Sequence, residues 1–496
     1  MWFTAAQLQR NRRHPDRLIC LAGFLTLFVV CRVGAGDLAP PTPDKSWLPA
    51  NEGTYEQELA GLARTSTNGV AIDPAKTYDL PALIDIAERS HPETRVAWEA
   101  ARAQAQAVGL SESTYYPYLA ALASENFAHE LSVVTSVFPG NVVEESAGVE
   151  LNWLLFDFGG RAAQVAGARE KLMAANVNFN ATHQKIVFEL TKSFYDYNIA
   201  RQQVEASESS LQAARVVSDA ARARFENGLA TKPDVLQAEQ QTAQADYDLE
   251  AARGALGDAQ VALVNSLGIF PAVNVQVAQT PAGAIDEKMG EPLDELVDRA
   301  LSQRPDLLAT LANLKASQAA VREARAAYYP KISLDASAGW SKLDVNAYDS
   351  PYVGNDKPNY AAGISLEWPI FEGFARRDRL RMAESELKAA ASELADNRDN
   401  AVQEVMKAYV DLQTALRKQD AAEVLLASAQ SAFDAALESY KQGLGTYVDV
   451  ANAQRNLASA RSTVVEARSE IYTSKTGLAL SVGDLARPVA DSTPPP

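Results

Sequence analysis

Three segments of the chain alternate apolar and polar residues, which is the pattern of β-strands with one apolar face. The alternation runs through 149–155, 332–341 and 364–370, with Val, Ile, Leu, Ala and Trp at every second position. We expect one pair of strands within 117–155 and another within 331–370, each strand about 9–11 residues long. Gly, Pro and Asn residues near 133–145 and 342–358 predict loops between the paired strands.

Two long segments have a helical character instead. Residues 168–227 and 374–442 contain no Gly or Pro, and a helix of sixty residues spans roughly 90 Å. Each run is followed by a Gly-centred reversal and then by a predicted returning helix, over Asp234–Leu267 and Asp449–Ser481. Rods of this length must bury their apolar faces against neighbouring helices along most of their length, as coiled coils do.

The order helix, two strands, long helix, turn and helix occurs twice. Corresponding residues of the two copies lie 213 or 215 positions apart, for example Trp153 and Trp368, or Gly268 and Gly483. A duplicated unit of this length is an architecture rather than a local motif. We predict one unit at 80–270 and the second at 291–485.

The strands have the length and the pattern of membrane-crossing strands. Trp153, Trp340 and Trp368 lie toward the strand ends on the apolar face, which suits the two membrane interfaces. Two strands per unit give four per chain, and four cannot close a barrel, so the chain must share a barrel with copies of itself; three copies give twelve strands. A soluble β-sandwich with one buried face is the alternative interpretation of the strands alone.

Charge and composition exclude some functions. The chain carries a net charge of −17, and removal of residues 1–36, with five Arg and one Asp, leaves −21 on the rest. No basic stripe is present to neutralise phosphate, so we expect no nucleic-acid partner. A cation-attracting path or a basic partner fits the charge better.

The first 36 residues suggest export. Residues 1–36 combine a basic segment, the apolar run Leu18–Val30 and small residues at 33–35, the pattern of a signal peptide. A membrane anchor is the alternative, although the run is shorter than the roughly 20 residues a spanning helix needs. Both cysteines lie inside this segment, and lipid attachment is disfavoured because neither follows a lipoprotein-type triplet. We predict an extended segment at 37–79 and a disordered tail at 486–496.

Signals of catalysis are weak. The predicted mature chain has three His residues, far apart in sequence, and no Cys. It contains no metalloprotease, nucleophile-elbow or phosphate-binding motif. We therefore predict no enzymatic activity, no cofactor and no metal site.

The repeated order of several short motifs resembles the TolC family of outer-membrane factors. The likeness covers about 80–485 and rests on the Tyr-Tyr-Pro segments 115–117 and 328–330, the strand-to-helix junctions 156–161 and 371–376, and the Gly-Leu-x-Thr-x-x-Asp reversals at 228–234 and 443–449. The resemblance implies a mixed membrane protein with an internal two-fold repeat. In it, each chain gives four strands to a trimeric 12-stranded β-barrel, continued by a coiled-coil α-barrel in the periplasm. It implies no cofactor, and as partners outer-membrane lipid, a periplasmic adaptor (membrane fusion protein) and an inner-membrane transporter.

The two reversals have a local and a functional interpretation. Locally, each Gly ends a helix in left-handed geometry and each Thr begins the next with an Asp capping-box partner. By resemblance, the reversals form the periplasmic tips that meet the adaptor. The tip residues are Gly228, Leu229, Thr231, Gly443, Leu444 and Thr446.

Asp449, Asn452 and Asp234 match, by resemblance, the positions around the closed pore. Three Asp449 carboxylates near one axis would repel each other and attract cations. Asn452 stands where relatives carry a second acidic residue, which weakens the expected ring. Gly445 replaces an Arg that latches the closed state in some relatives, so any latch must use other residues.

The sequence thus predicts a passive exit duct of a tripartite export system, located in the outer membrane and extending into the periplasm. Small-molecule efflux and type I protein secretion both remain open as its task. A trimeric coiled-coil structural or adhesive surface protein is the alternative. We also expect Phe156, Phe158, Phe371 and Phe374 to pack as core where strands meet helices.

Overall fold

The computed structural model describes residues 75–133, 136–269, 275–279, 291–347 and 353–485, together with residues 57, 58, 61, 72 and 73. The chain divides into two units, 1–67 and 68–496. All elements described below belong to the second unit; in the first, only Gln57, Glu58 and Gly61 are described, each in helical conformation. The predicted signal peptide, most of the predicted extended segment and the predicted C-terminal tail lie outside the described residues.

The first half of the second unit begins with the short strand β1 and two short helices. Two long strands, one very long helix and a returning helix follow. The elements are β1 (Thr77–Tyr78), α1 (Leu80–Ser90), α2 (Pro92–Glu112), β2 (Tyr118–Val133), β3 (Ser136–Phe156), α3 (Gly160–Glu226) and α4 (Lys232–Ser266).

The second half has the same order. Its elements are β4 (Gln276–Val277), α5 (Leu293–Gln303), α6 (Pro305–Ala326), β5 (Lys331–Ala347), β6 (Val353–Glu367), α7 (Ala375–Lys441) and α8 (Tyr447–Val482). Helices α3 and α7 each have 67 residues, which corresponds to about 100 Å. Among the described residues, no helix combines the length and the apolarity that a membrane crossing requires.

The four long strands form one antiparallel sheet in the order β2-β3-β5-β6. Register is fixed by pairs such as Tyr118 with Asn152, and Asn152 with Asp335. The two short strands β1 and β4 pair in parallel and join the beginnings of the two halves. β2 and β6 are the edges of the long sheet, and on its outer side neither pairs with another strand of the described residues.

The strands are longer than the sequence pattern predicts. They contain 16, 21, 17 and 15 residues rather than about 9–11, and pairing continues through much of the two predicted loops. The prediction was wrong because backbone pairing does not need alternating side chains. Pro139 and Pro358 suggested turns, yet both lie in paired strands, Pro139 opposite Glu130 and Pro358 opposite Trp340.

The helices bury their apolar faces in separate clusters. One cluster joins α1, α3 and α4 around Leu83, Ile186, Leu190 and Leu263. A second lies near the ends of the long helices and includes Val217, Phe433 and Leu457. These contacts hold α3 against α4 and α7 against α8 as antiparallel hairpins, and α3 against α8 across the two halves.

Candidate functional sites: the long sheet and the helix tips

The long sheet has one apolar and one polar face. On the apolar face the register aligns Leu119, Leu151, Ala336 and Ala362 across the four strands. The band from Ile332 to Trp340 on β5 spans about 26 Å at the usual rise per residue. Beyond it, Lys342 lies 3.7 Å from Glu145 and 2.7 Å from Asp344, so charged residues mark the end of the band.

The three predicted interface tryptophans lie at the two ends of this band. The indole N–H of Trp153 donates to the Tyr115 carbonyl at 2.9 Å, and that of Trp368 donates to the Tyr328 carbonyl at 3.1 Å. Trp340 lies at the opposite end and donates to the Asp356 carboxylate. Each ring is apolar in body and has its polar edge satisfied, an arrangement suited to a boundary between apolar and wet surroundings.

The polar face is joined by side-chain hydrogen bonds. Asp335 accepts from Asn152 at 2.6 Å and from Ser365 at 2.8 Å, which connects β3, β5 and β6. Farther along, the hydroxyls of Ser124 and Ser146 lie 2.8 Å apart across β2 and β3. This face is therefore a hydrated surface that carries acidic groups.

The junction between β3 and α3 depends on Arg161. Its side chain is buried and donates to three backbone carbonyls, those of Thr114, Leu154 and Leu155, at 2.6–3.0 Å. Its backbone N–H donates to Asp157. The chain turns here through two consecutive residues with positive φ, Phe158 and Gly159, and at the corresponding place in the second half through Gly373 and Phe374.

The junction phenylalanines do not form the expected core within this chain. All four are 44–74% exposed. Phe158 instead stacks on Tyr329 at 5.1 Å, between the two halves.

The first tip is the reversal between α3 and α4. Gly228 has φ +72 and its N–H donates to the Phe225 carbonyl, so α3 ends in left-handed geometry. Thr231 then begins α4, and its N–H and hydroxyl both donate to Asp234 at 2.9 and 2.8 Å. Leu229 is left 67% exposed between them.

The second tip repeats this geometry between α7 and α8. Gly443 has φ +80, and Thr446 donates to Asp449 at 3.0 Å from its N–H and at 2.6 Å from its hydroxyl. The hydrogen bond from Thr446 lowers the pKa of Asp449 below its ordinary value. Leu444 is 81% exposed.

The two tips are joined by residues outside the predicted motifs. Arg224 of α3 donates to the Tyr440 carbonyl and, at 3.1 Å, to the Leu229 carbonyl. Tyr440 packs edge to face against Tyr447. Asp234 acts electrostatically on both tyrosines, whereas the Asp449 carboxylate is held by its own cap.

Asn452 has a cationic neighbour. Arg455 lies one helical turn further along α8 and donates to the Asn452 side-chain oxygen. The position therefore lacks the expected negative charge and also stands beside a positive one. Within the described residues, no group of three or more His, Cys, Asp or Glu is arranged to hold a metal ion.

The family model for "Outer membrane efflux protein" matches this chain twice, over residues 83–269 and 296–484. The chain belongs to the outer membrane efflux protein family. The resemblance to TolC-type channels is thereby confirmed. The efflux protein is located in the outer membrane, extends into the periplasm, and serves as the exit channel of a tripartite export system.

Individual relatives agree with this assignment. Protein CyaE of Bordetella pertussis (strain Tohama I) is 30% identical over 79% of this chain and 82% of its own length. The outer membrane efflux protein BepC of Brucella suis biovar 1 is 29% identical over 71% of this chain and 74% of its own length. These matches favour the channel and give no support to a coiled-coil surface protein.

Solved structures show the same fold. The outer-membrane channel OprN matches with a TM-score of 0.74 at 20% identity, covering 84% of this chain and 95% of its own. VceC of Vibrio cholerae matches with a TM-score of 0.70 at 20% identity, covering 82% and 96%. The strands and long helices of the efflux protein thus have the arrangement of TolC-like channels, which excludes the soluble sandwich.

Sequence reasoning missed Arg224, Tyr440, Tyr447 and Arg455 of the efflux protein. A signal for three of them was present in the duplication. At the 215-residue offset, Arg224 corresponds to Ser439, Phe225 to Tyr440, and Lys232 to Tyr447. At these three pairs the two copies differ in chemistry, and the contact between the tips uses one member of each pair.

Proposed function

We propose that three copies of this chain form one outer-membrane conduit in which the four-stranded sheets close into a 12-stranded barrel. The supporting observation is the sheet with two unpaired edges. A free edge exposes backbone N–H and C=O groups, which lipid cannot satisfy. Joining β6 of one copy to β2 of the next satisfies both edges, and three copies reach the strand number that leaves an open lumen.

The two faces of the sheet fix its orientation in this barrel. The apolar band of about 26 Å matches the lipid-facing band of outer-membrane barrels. The face with Ser124, Asn152 and Asp335 then lines the lumen. Trp153 and Trp368 mark one membrane interface and Trp340 marks the other.

The helices continue the conduit into the periplasm, with the units 80–270 and 291–485 as its two repeats. The tips then meet near the axis, and Asp449, Asn452 and Asp234 surround the constriction. The Asp449 carboxylates supply its negative charge, while Arg455 beside Asn452 reduces the field at the next turn. We expect a single dominant carboxylate ring rather than two.

The tips also serve as the contact for the periplasmic adaptor. Leu229 and Leu444 are large apolar side chains at the outermost turn, and both are exposed. Their neighbours Gly228, Thr231, Gly443 and Thr446 hold the turns in a fixed shape. A rigid apolar projection on a polar helix pair fits docking against a helical partner.

Transport through the conduit requires no chemistry from this chain, and an inner-membrane transporter supplies the energy. The names of relatives range from pyoverdine export to cation efflux, so the cargo is proposed only as a class: small molecules or a secreted protein. A deletion strain distinguishes them, since loss of resistance to small toxic compounds indicates efflux and loss of one protein from the medium indicates secretion.

Membrane fractionation followed by sizing in mild detergent tests the conduit. We expect the mature chain in the outer-membrane fraction as a species of three chains. A soluble monomer, or a membrane species of another copy number, contradicts the proposal.

Adaptor contact is tested separately with Leu229→Glu and Leu444→Glu. Both variants should keep the three-chain assembly and lose adaptor capture, because a charge replaces the apolar projection. Leu444→Ile is the matched control that keeps the apolar surface. Unchanged capture by both Glu variants contradicts a role of the tips.

A further inference from the structure

A cleft of about 450 Å³ lies between α3, α7 and α8, and Gln279, which follows β4, also lines it. Three guanidinium groups line it, from Arg201 on α3 and from Arg461 and Arg468 on α8. Arg461 and Arg468 are seven residues apart and thus share one face of their helix. Leu426 of α7 and Val464 of α8 supply an apolar part of the wall.

These arginines have no carboxylate partner among the described residues. Each donates instead to the side-chain amide oxygen of an Asn or Gln. The pairs are Arg201 with Asn198 at 2.7 Å, Arg461 with Gln430 at 3.2 Å, and Arg468 with Gln202 at 3.5 Å. Arginines elsewhere on the helices, such as Arg253 and Arg304, form ion pairs with Asp or Glu.

Two donors in the cleft are shielded from solvent and unsatisfied. Nη1 of Arg461 and Nε of Arg468 are buried and have no hydrogen-bond acceptor. A buried donor without an acceptor is costly, and more so when its group is charged. Arg461 and Arg468 therefore each keep donor capacity that the chain itself does not fill.

The acidic residues nearby do not supply the missing acceptors. Glu205 lines the cleft, but its side chain is exposed to solvent. Asp434 acts on Arg461 electrostatically without forming an ion pair. The cleft thus gathers three half-buried guanidinium groups without a paired carboxylate, in a chain with 63 acidic and 46 basic residues.

We propose that this cleft binds a small oxyanion, held by Arg461 and Arg468 of α8 together with Arg201 of α3. The planar guanidinium fork matches the paired oxygens of phosphate or carboxylate. The volume suits a small molecule. A dissolved anion is proposed rather than an acidic protein surface because the cleft has the volume of a small-molecule site. Bound there, the anion joins a helix of the first half to a helix of the second.

The test uses the purified full-length mature channel in mild detergent. Its thermal midpoint and binding heat are measured against inorganic phosphate and, separately, citrate, with sodium chloride at equal ionic strength as reference. We expect a saturable rise of the midpoint with one or both oxyanions and none with chloride. A response to inorganic phosphate identifies a phosphate group as the ligand, and a response to citrate identifies a carboxylate. No saturable response to either anion overturns the proposal.

Variants assign the response to the cleft. Arg468→Gln and Arg461→Gln should each weaken binding about tenfold or more, since each removes a charge-assisted hydrogen bond. Arg253→Gln makes the same charge change at an arginine already paired with Glu208 and Glu250, and it should leave binding unchanged. If a Gln variant fails to fold, Arg461→Lys keeps the charge without the fork and should bind more weakly. Equal binding by the wild type and every folded cleft variant overturns the assignment.

Discussion

The guanidinium carbon of Arg224 lies 4.6 Å from the centre of the Tyr440 ring, and the same group donates to the Tyr440 carbonyl. These residues are 216 positions apart and belong to different halves of the chain. A further hydrogen bond to the Leu229 carbonyl ties Arg224 to its own tip. Arg224 is therefore the clamp that holds the two tips together in this conformation.

Replacing Arg224 with Gln should loosen that clamp. The change removes a cation–π contact and charge-assisted hydrogen bonds, together about 2 kcal/mol or more, so arrangements with separated tips should gain more than tenfold in population. Single-channel conductance in planar bilayers should rise accordingly. Arg222→Gln is the control, because Arg222 is exposed and pairs with Glu239 on the returning helix. Equal conductance of the wild type and Arg224→Gln contradicts the clamp.

Removing the Asp449 charge should reduce divalent-cation block of the channel. Asp449→Asn keeps an oxygen that can accept from Thr446 and deletes only the charge, whereas Asp449→Ala also removes the cap. Both should diminish the block in planar bilayers. Asp378→Asn, at the opposite end of α7 and paired with Arg377, should have no effect. If divalent-cation block is unchanged in both Asp449 variants, the proposed ring of Asp449 carboxylates is contradicted.

The pH dependence of this block follows from the same hydrogen bonds. Because Thr446 lowers the pKa of Asp449, the carboxylate is bound more favourably in the folded state than in the unfolded chain. Its capping contribution is complete above the unfolded pKa and is lost as the pH falls through the lowered folded pKa. We expect the block to be complete at pH 7 and to weaken as acidification protonates the carboxylate. A block that acidification leaves unchanged contradicts the Asp449 carboxylate as its source.

The tips could be predicted from sequence because their determinants are local. A Gly that ends one helix and a Thr with an Asp three positions later form a turn without help from distant residues. Gly228, Thr231 and Asp234 adopt that geometry in the first tip, and their counterparts do so in the second. The clamp between the tips could not be predicted in this way, since the contact of Arg224 with Tyr440 depends on how two distant hairpins pack.

The outer parts of the strands were missed for a different reason. Alternation marks only the stretch of a strand whose two faces meet different surroundings. Beyond Lys342 the period of two continues but changes phase, since Leu343, Val345 and Ala347 are now the apolar positions. The backbone ladder between β3 and β5 continues through this change. Hydrogen-bond pairing of the backbone leaves little trace in composition, and the two prolines pointed to turns instead.

Arg161 should contribute more to stability than its counterpart Arg376. Arg161→Ala leaves three carbonyls without their donor, at a cost of about 3 kcal/mol or more. Arg376 contacts Glu372 at 3.5 Å and the Tyr328 ring at 5.6 Å, so Arg376→Ala should cost about 1 kcal/mol. The thermal midpoints of the purified assemblies should fall in that order. If the two variants lower the thermal midpoint equally, the contacts of Arg161 with the three carbonyls add nothing to stability.

Gly268 and Gly483 occupy corresponding positions in the two halves, and both have positive φ. The two sites differ in the room that they leave for an added Cβ atom. A Cβ at Gly268 would lie 2.6 Å from the Cα of His91, whereas one at Gly483 would lie 3.5 Å from the Cα of Arg304, an ordinary contact. Gly268→Ala should therefore destabilise by about 3 kcal/mol or more, because backbone must move. Gly483→Ala should cost only the backbone strain, about 1 kcal/mol. Thermal unfolding of the two variants compares their stabilities directly. If Gly268→Ala is as stable as Gly483→Ala, the backbone around His91 can shift without loss of stability, and the prediction is wrong.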